Sequence, residues 1–362
     1  LEVSKHRLLI FIGTLGAGGA EHTAVELANH FVDEYDEVGL VTCFDKPDFY
    51  QCKPDVRRSC IEREIHSRSP LKMAWWLRRY CRVFKPTVVL SFMMPFNILA
   101  TWALRGTGVP VVVCERSDPK IEGTSKRRKL RDYTYRFIDR IQVQTVSARD
   151  YFGDKLKGKI HVIPNANRIT PEQRHSAMTQ KRENRIVYVG RLEDFKGVDV
   201  LIDAFYKVMG NHKDYRLDIY GDGRDRGRLR QKVKSLGMAE SVIFHGRVQD
   251  VPSNIGSARL LVLPSYIEGM PNVLIEAVGL GLPVVATDVC GVRDIVEDGK
   301  NGIVVPIHDE KALAQAMLKI IEDERLAEEM SEYTGKILPR FDQENIMALW
   351  QKLLEEAERC QR

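Results

Sequence analysis

Short runs of β-branched and apolar residues recur along this chain, and each is followed by a longer stretch with helical periodicity. "RLLIFIG" (7–13), "EVGLVTCF" (37–44), "TVVLSF" (87–92), "VPVVVCE" (109–115), "RIQVQT" (140–145) and "KIHVIPN" (159–165) come first. The polar stretch "NANRITPEQRHSAMTQKREN" (165–184) lacks a clear period and reads as a linker. The pattern then restarts with "RIVYVG" (185–190), "YRLDIYGDG" (215–223), "SVIFHG" (241–246), "ARLLVLPS" (258–265), "LPVVATD" (282–288) and "NGIVVP" (301–306). Apolar strands alternating with helices imply parallel sheets covered on both faces. The fold class is therefore α/β, with two doubly wound domains in tandem over 1–168 and 181–338. Two domains also suit 362 residues, because single cores stop growing at roughly 250–300. The segment 339–362 breaks at Pro339 and continues as an amphipathic helix, expected to pack across the domain junction. Ligands bind at strand carboxyl ends, so the two sets of ends are expected to face each other across a cleft.

Charge is unevenly spread. The net charge is +5, yet residues 1–170 hold 28 Lys and Arg against 19 Asp and Glu, and the remainder is acidic. Much of the excess lies in "WWLRRYCRVFKP" (75–86) and "SKRRKLRDYTYRFIDR" (125–140), which read as helices carrying basic and aromatic residues together. Two readings stay open for them: solvated helix faces, or a surface held near anionic lipid or a pyrophosphate-bearing acceptor. No nucleic-acid motif accompanies the charge, so nucleic acid is not an expected partner. No apolar run approaches the ~18 residues of a membrane span, and no signal peptide is visible. The seven cysteines include no CxxC pair and no Cys/His ligand spacing, which leads to the expectation of a reduced, cytoplasmic, metal-free setting.

The first strand runs into "GTLGAGGAEHTAVELANHF" (13–31), a strand, glycine turn and helix start of the kind that presents backbone N–H groups to a phosphate. It fails the dinucleotide fingerprint G-x-G-x-x-G, because from Gly16 the chain reads G-A-G-G-A-E and Glu21 takes the third glycine position. It fails G-x-x-x-x-G-K-[ST] as well: Gly13 and Gly18 fit, but Gly19 and Ala20 replace the Lys and the hydroxyl residue. What remains is a turn that is either structural or able to approach an anion.

The second half carries more specific chemistry. "RIVYVG" is followed directly by "RLEDFKG" (191–197), placing Arg191 and Lys196 just past a strand end in a loop closed by Gly197. Arg can fork two phosphate oxygens while Lys acts as a point charge. Farther on, "ARLLVLPS" leads into "YIEGMPNVLIEAVGLGLPVVATD". Gly269 permits a tight turn, Pro271 suits a first helical turn, and "NVLIEAVGL" is the helix. Glu276 is the sole charge in that helix, and a carboxylate there is costly unless paired or hydrogen-bonded. It is either part of a structural ion pair or an acceptor for both hydroxyls of a ribose, within reach of the cleft that Glu268 borders.

The E-x7-E pair Glu268/Glu276, the G-R-L-x-x-x-K-G loop from Gly190 to Gly197 and the early Gly18-Gly19-Ala20-Glu21 turn resemble retaining glycosyltransferase family four, whose GT-B fold pairs two Rossmann-like domains across a cleft. The resemblance spans nearly the whole chain and is strongest in "EGMPNVLIEAVGLGLPVVATD" and "EDGKNGIVVP". Within that family the chain is most similar to bacterial enzymes building O-antigen, capsule or lipid-linked oligosaccharide. The resemblance implies that Arg191 and Lys196 bind the donor diphosphate and that Glu276 accepts from the nucleotide ribose. It implies that Glu268 contacts the transferred sugar beside its anomeric carbon. Backbone N–H groups at Met270, Asn272 and Val273 would add to phosphate binding, with Gly190 and Gly269 in the approaching loops. The base would lie near Arg247 and Val248, and Gly18 and Gly19 would close against the donor phosphate. Two positions depart from the family: Arg116, in "VCERSDP", stands where many members carry a His that touches the donor sugar, and Asp294, in "CGVRDIV", stands where a Glu is common.

The implied co-substrate is a UDP-sugar, with N-acetylhexosamine or galactose favoured. The chain has no Asp-x-Asp motif, and the expected reaction needs no metal cofactor. The expected acceptor is a polyprenyl-pyrophosphate-linked glycan at the inner face of the cell membrane, with the basic N-terminal domain against anionic lipid. Soluble or protein acceptors remain alternatives, as do a non-catalytic scaffold of the same fold and a nicotinamide-dependent oxidoreductase.

Overall fold

Seven strands form the first sheet: β1 (Arg7–Ile12), β2 (Glu37–Thr42), β3 (Arg57–Cys60), β4 (Val88–Phe92), β5 (Val111–Glu115), β6 (Arg140–Val143) and β7 (Ile160–Val162). Their order is β3-β2-β1-β4-β5-β6-β7, and every pairing is parallel. The central strands are buried on both faces, with Leu8 to Ile12 and Val88 to Leu90 wholly inaccessible, which is why they read as unbroken apolar runs. The sequence reading lacks β3. Its Arg-Arg-Ser-Cys pairs only with β2 at the sheet edge, a position that does not require apolar side chains.

The helices of this half are α1 (Gly19–Phe31), α2 (Ile61–Ile65), α3 (Pro70–Phe84), α4 (Met94–Leu104), α5 (Ser125–Thr134) and α6 (Val146–Phe152). Trp76, Leu77 and Phe84 of α3, Ala100 and Leu104 of α4, and Phe152 of α6 pack in one cluster with Leu9, Phe11, Val89, Val113 and Ile141 of the sheet. One face of the sheet is thus covered by a single helix layer.

The second sheet holds β8 (Arg185–Val189), β9 (Arg216–Tyr220), β10 (Val242–Gly246), β11 (Leu260–Leu263), β12 (Val284–Thr287) and β13 (Gly302–Val305), in the order β10-β9-β8-β11-β12-β13. It too is wholly parallel. Its helices are α7 (Pro171–Thr179), α8 (Val198–Val208), α9 (Arg226–Ser235), α10 (Val251–Ile255), α11 (Asn272–Gly279), α12 (Val292–Ile295), α13 (Glu310–Glu322) and α14 (Glu324–Ile337). The stretch read as a linker contains α7. Thr170 and Gln173 form a reciprocal capping box around Pro171, so local capping stabilises a helix whose polarity has no useful period.

The computed structural model describes residues 6–360, and the chain divides into two compact units, Leu1–Pro164 with Ile346–Arg362, and Asn165–Asn345. The last helix, α15 (Gln343–Glu358), belongs to the first unit from Ile346 onward. There Trp350 is buried near Phe92, and Glu358 accepts a hydrogen bond from Thr87 at 2.5 Å.

Each sheet has one place where the strand order reverses. In the first it lies between β1 and β4; in the second, between β8 and β11. Loops leaving adjacent strands there diverge to opposite faces and leave a crevice at the carboxyl edge.

Candidate active site

The crevice of the second unit is built from the loops after β8 and β11. Tyr188, buried in β8, donates its hydroxyl proton to the Arg191 carbonyl at 2.9 Å, and burial together with the nearby Glu268 charge pushes that phenol up. Gly190 N–H donates to Tyr220 O, Leu192 N–H to Asp222 O, and Gly221 N–H to Gly246 O. The loops after β8, β9 and β10 are therefore stitched edge to edge by backbone bonds. A helical turn over Asp194–Lys196 then ends at Gly197, whose φ is 64°. A Cβ at Gly197 would collide with the Pro264 carbonyl, so only glycine lets this loop close onto the loop after β11. Tyr266 N–H donating to Phe195 O at 2.8 Å completes the closure.

That approach brings Lys196 to Glu268, 72 residues away, with Nζ 2.5 Å from Oε1. Both side chains are nearly buried, at 14% and 11% exposed. The same oxygen accepts from the hydroxyl of Ser265 at 2.7 Å. Ser265 is itself inaccessible, and its carbonyl accepts from Thr287 of β12. Arg191 remains exposed, its guanidinium carbon 5.7 Å from the Phe195 ring centroid, and Lys196 Nζ lies 5.5 Å from the same centroid. Two cations thus lie near one aromatic ring at the strand ends.

After Glu268 the chain turns through Gly269 and Met270 into α11. Pro271 stands at the N-cap of this helix and makes no side-chain cap bond, so the amides of the first turn carry the partial positive charge that attracts anions. Asn272 Oδ1 is held by Asn165 Nδ2 at 2.5 Å. Glu276 follows one turn later, partly buried and on the same helix face as Asn272. Arg247 and Val248 lie just past β10 on the same carboxyl edge, Arg247 exposed and Val248 packed against the core. Asp294 sits in the first turn of α12.

Gly18, Gly19 and Arg116 belong to the first unit, where they too converge. Gly18 caps α1 without a side-chain bond, and a Cβ there would collide with the Glu21 carboxylate folded back over it. Thr23 of α1 donates its hydroxyl to Gly19 O at 3.0 Å and accepts from Arg116 Nη2 at 2.9 Å. The root of Arg116 is anchored by Glu115, whose buried carboxyl group accepts from Tyr135 and lies 3.7 Å from the buried Arg131 guanidinium. Burial, with the Glu122 carboxyl beside it, pushes Glu115 up to about 8.

Sequence reasoning missed Ser265, Asn165, Thr287 and Tyr188. Ser265 had a local signal in its three-residue spacing to Glu268; Asn165 had none, since its partner lies 107 residues away.

Comparison with known proteins covers both halves of the chain. Residues 18–166 match the glycosyl transferase 4-like domain and residues 170–337 match glycosyl transferases group 1. Among curated proteins, the GalNAc-alpha-(1->4)-GalNAc-alpha-(1->3)-diNAcBac-PP-undecaprenol alpha-1,4-N-acetyl-D-galactosaminyltransferase of Campylobacter jejuni is 29% identical over 97% of this chain and 98% of its own. Among solved structures, a sucrose-phosphate synthase from Thermosynechococcus elongatus superposes with a TM-score of 0.82 at 18% identity, covering 97% of this chain and 99% of that one. Anabaena HepE in complex with UDP superposes at 0.79 and 18% identity over 96% and 98%. Two Rossmann-like sheets of this order, with family matches over both halves, make this chain a GT-B glycosyltransferase of the group 1, family-four type.

Proposed function

We propose that this glycosyltransferase moves a hexosyl or N-acetylhexosaminyl residue from a UDP-sugar to a hydroxyl of a polyprenyl-pyrophosphate-linked glycan, with retention of anomeric configuration, in cell-surface polysaccharide assembly. One observation carries the reading: Lys196 and Glu268, joined at 2.5 Å, sit at the reversal point of the second sheet together with the uncapped N-terminus of α11. A diphosphate needs convergent positive charge, and Arg191, Lys196 and the first-turn amides of Asn272 and Val273 supply it without a metal. Lys carries three donors, so Lys196 can hold Glu268 with one and offer the others to phosphate. Glu276 is the acceptor for the ribose hydroxyls, Glu268 faces the transferred sugar, and Arg247 with Val248 border the base.

In the proposed reaction the acceptor oxygen bonds to the anomeric carbon as the bond to the diphosphate oxygen breaks. The electron pair leaves with the diphosphate, whose oxygen takes the acceptor's proton on the same face. Preorganised cations stabilise the charge that develops there. UDP as the nucleotide is supported by the UDP complex of a structural neighbour, and the lipid-linked acceptor by the activity for which the Campylobacter relative is named. A panel of UDP-, GDP- and ADP-sugars assayed for nucleoside diphosphate release, with NMR of the product's anomeric proton, tests the proposal. Release from no donor, or an inverted linkage, would overturn it; thermal stabilisation by NAD and not by UDP would favour an oxidoreductase.

A further inference from the structure

The nucleotide crevice leaves one buried cluster of the first unit unexplained. β5 ends at Glu115, and the loop after it carries Arg116 and returns with Glu122 before α5 begins. The side chains of Glu115 and of Arg131 in α5 are wholly buried. Glu115 Oε1 accepts from the Tyr135 hydroxyl and, at 3.4 Å, from Asn97 Nδ2 of α4. Its Oε2 is buried and meets no N–H or O–H donor among the described residues, and the same holds for Glu122 Oε2. Yet the two carboxyl groups are in hydrogen-bonding contact with each other. Arg131 does not satisfy them, because its Nη1 stays 3.7 Å from Glu115 Oε2, beyond hydrogen-bond distance. Its Nε and Nη2 instead go to Asp132 at 3.1 and 2.9 Å, and Nη2 also reaches Pro119 O and the Tyr151 hydroxyl of α6. Asp132 therefore answers much of the Arg131 charge.

We propose that one proton lies between Oε2 of Glu115 and Oε2 of Glu122, and that this proton ties the loop 116–123 to β5 and so positions Arg116. Two ionised carboxylates in contact only repel, whereas a protonated one gains an O–H donor and turns two orphaned oxygens into a bonded pair. Glu115 is the member that holds the proton. Arg131 and the Tyr135 hydroxyl favour its ionised form, but burial and the Glu122 charge prevail and push it up to about 8. The remaining neighbours do not compete for the proton: Asn97 is a neutral donor, and burial keeps Cys114 and Tyr135 protonated. Within the loop, Asp118 O accepts from the N–H groups of Ile121 and Glu122, and Asp118 Oδ1 from Lys120 N–H. Those bonds shape the turn without joining it to β5. Arg116 itself reaches Thr23 and through it the Gly19 carbonyl, at the carboxyl edge where doubly wound sheets bind ligands. When hydroxide takes the proton, two carboxylates face each other in a dry site, and the loop parts from the strand. The proposal deepens the transferase reading and rests on it for the part Arg116 plays in turnover.

Infrared difference spectra of the intact protein between about pH 6.5 and about pH 9.5 read the proton directly, because ordinary Asp and Glu carboxyls are already ionised across that range. The wild type is expected to lose a carboxylic-acid carbonyl band as the pH rises, and Glu115→Gln to show no such loss. Nucleoside diphosphate release over the same range reads the positioning. The wild-type rate should fall to about a tenth of its plateau one pH unit above the titration and recover on return to neutral pH. Glu115→Gln keeps an N–H donor toward Glu122 that base does not remove, so its rate should stay level. Glu122→Ala lacks the bond at every pH and should be slower throughout by about ten- to a hundredfold, with circular dichroism showing that it is folded. Arg116→Gln should be slow and level, since nothing is left for the proton to position. A wild type without the band, a band that survives Glu115→Gln, or an alkaline fall that Glu115→Gln or Arg116→Gln retains would overturn the proposal. Should no sugar donor release nucleoside diphosphate, the transferase reading fails by itself, and the infrared spectra still decide whether the carboxyl pair holds the proton.

Discussion

The pair Lys196/Glu268 allows a sharp separation of holding the site together from doing its chemistry. At 2.5 Å and an effective dielectric of about 20, the Coulombic attraction is about 6–7 kcal/mol, much of it offset by the desolvation of two nearly buried groups. Removing Lys196 leaves the Glu268 carboxylate in the same place with the Ser265 hydroxyl as its remaining bonded donor. Breaking a buried pair in this way costs about 3–5 kcal/mol, and the residual exposure of both side chains puts Lys196→Ala near the low end, about 3 kcal/mol. Adding Glu268→Gln removes the stranded charge, so the double variant should regain at least about 1 kcal/mol of that loss. Turnover should behave differently. Losing one preorganised charge donor costs about 2.7–4 kcal/mol of barrier, so Lys196→Ala falls at least about a hundredfold and the double variant recovers none of it. Urea titrations that follow the second unit's transition and nucleoside diphosphate release measure the two quantities on the same four proteins. Stability effects that add within about 0.5 kcal/mol, or full activity in Lys196→Ala, would refute the reasoning.

Glu276→Gln should raise the KM for the UDP-sugar by about ten- to a hundredfold with a smaller change in kcat, since a charge-assisted bond to a ribose hydroxyl is worth about 1.5–3 kcal/mol; steady-state kinetics check this. Gly197→Ala should lower Tm more than Gly158→Ala does, because both positions have positive φ but only Gly197 faces a carbonyl where the methyl must go. Glu115 keeps its proton to about pH 8 in the folded protein, whereas an unfolded Glu loses it near 4.3. The native state therefore binds more protons in between, and stability falls as pH rises through that window; Glu115→Gln should flatten the Tm profile between pH 5 and 8. Activity should survive excess EDTA, the cations of Arg191 and Lys196 standing where a metal would serve; complete loss restored by Mn²⁺ would contradict this.

The strands of both sheets were legible because parallel strands buried on both faces must be apolar along their whole length. The exceptions have physical reasons. β3 lies at an edge and packs no second neighbour, and α7 is a short capped helix whose Thr170-Pro171-Glu172-Gln173 signature outweighs its absent period. In the candidate site, Arg191, Lys196, Glu268 and Glu276 could be named from strand-end position and from the family resemblance. Ser265 carried only the local signal of its three-residue spacing to Glu268, and Asn165 could not be named at all, since tertiary packing chose its partner 107 residues away.

The linear chain by itself determined that two doubly wound sheets would form, where their strands would end, and which charged side chains would lie at those ends. Periodicity and local turn chemistry carry that information within a dozen residues. Only the tertiary structure decided that β8 lies beside β11, so that Gly197 can press against Pro264 and bring Lys196 onto Glu268. Adjacency between strands distant in sequence follows from the burial of whole sheets, and no local pattern encodes it.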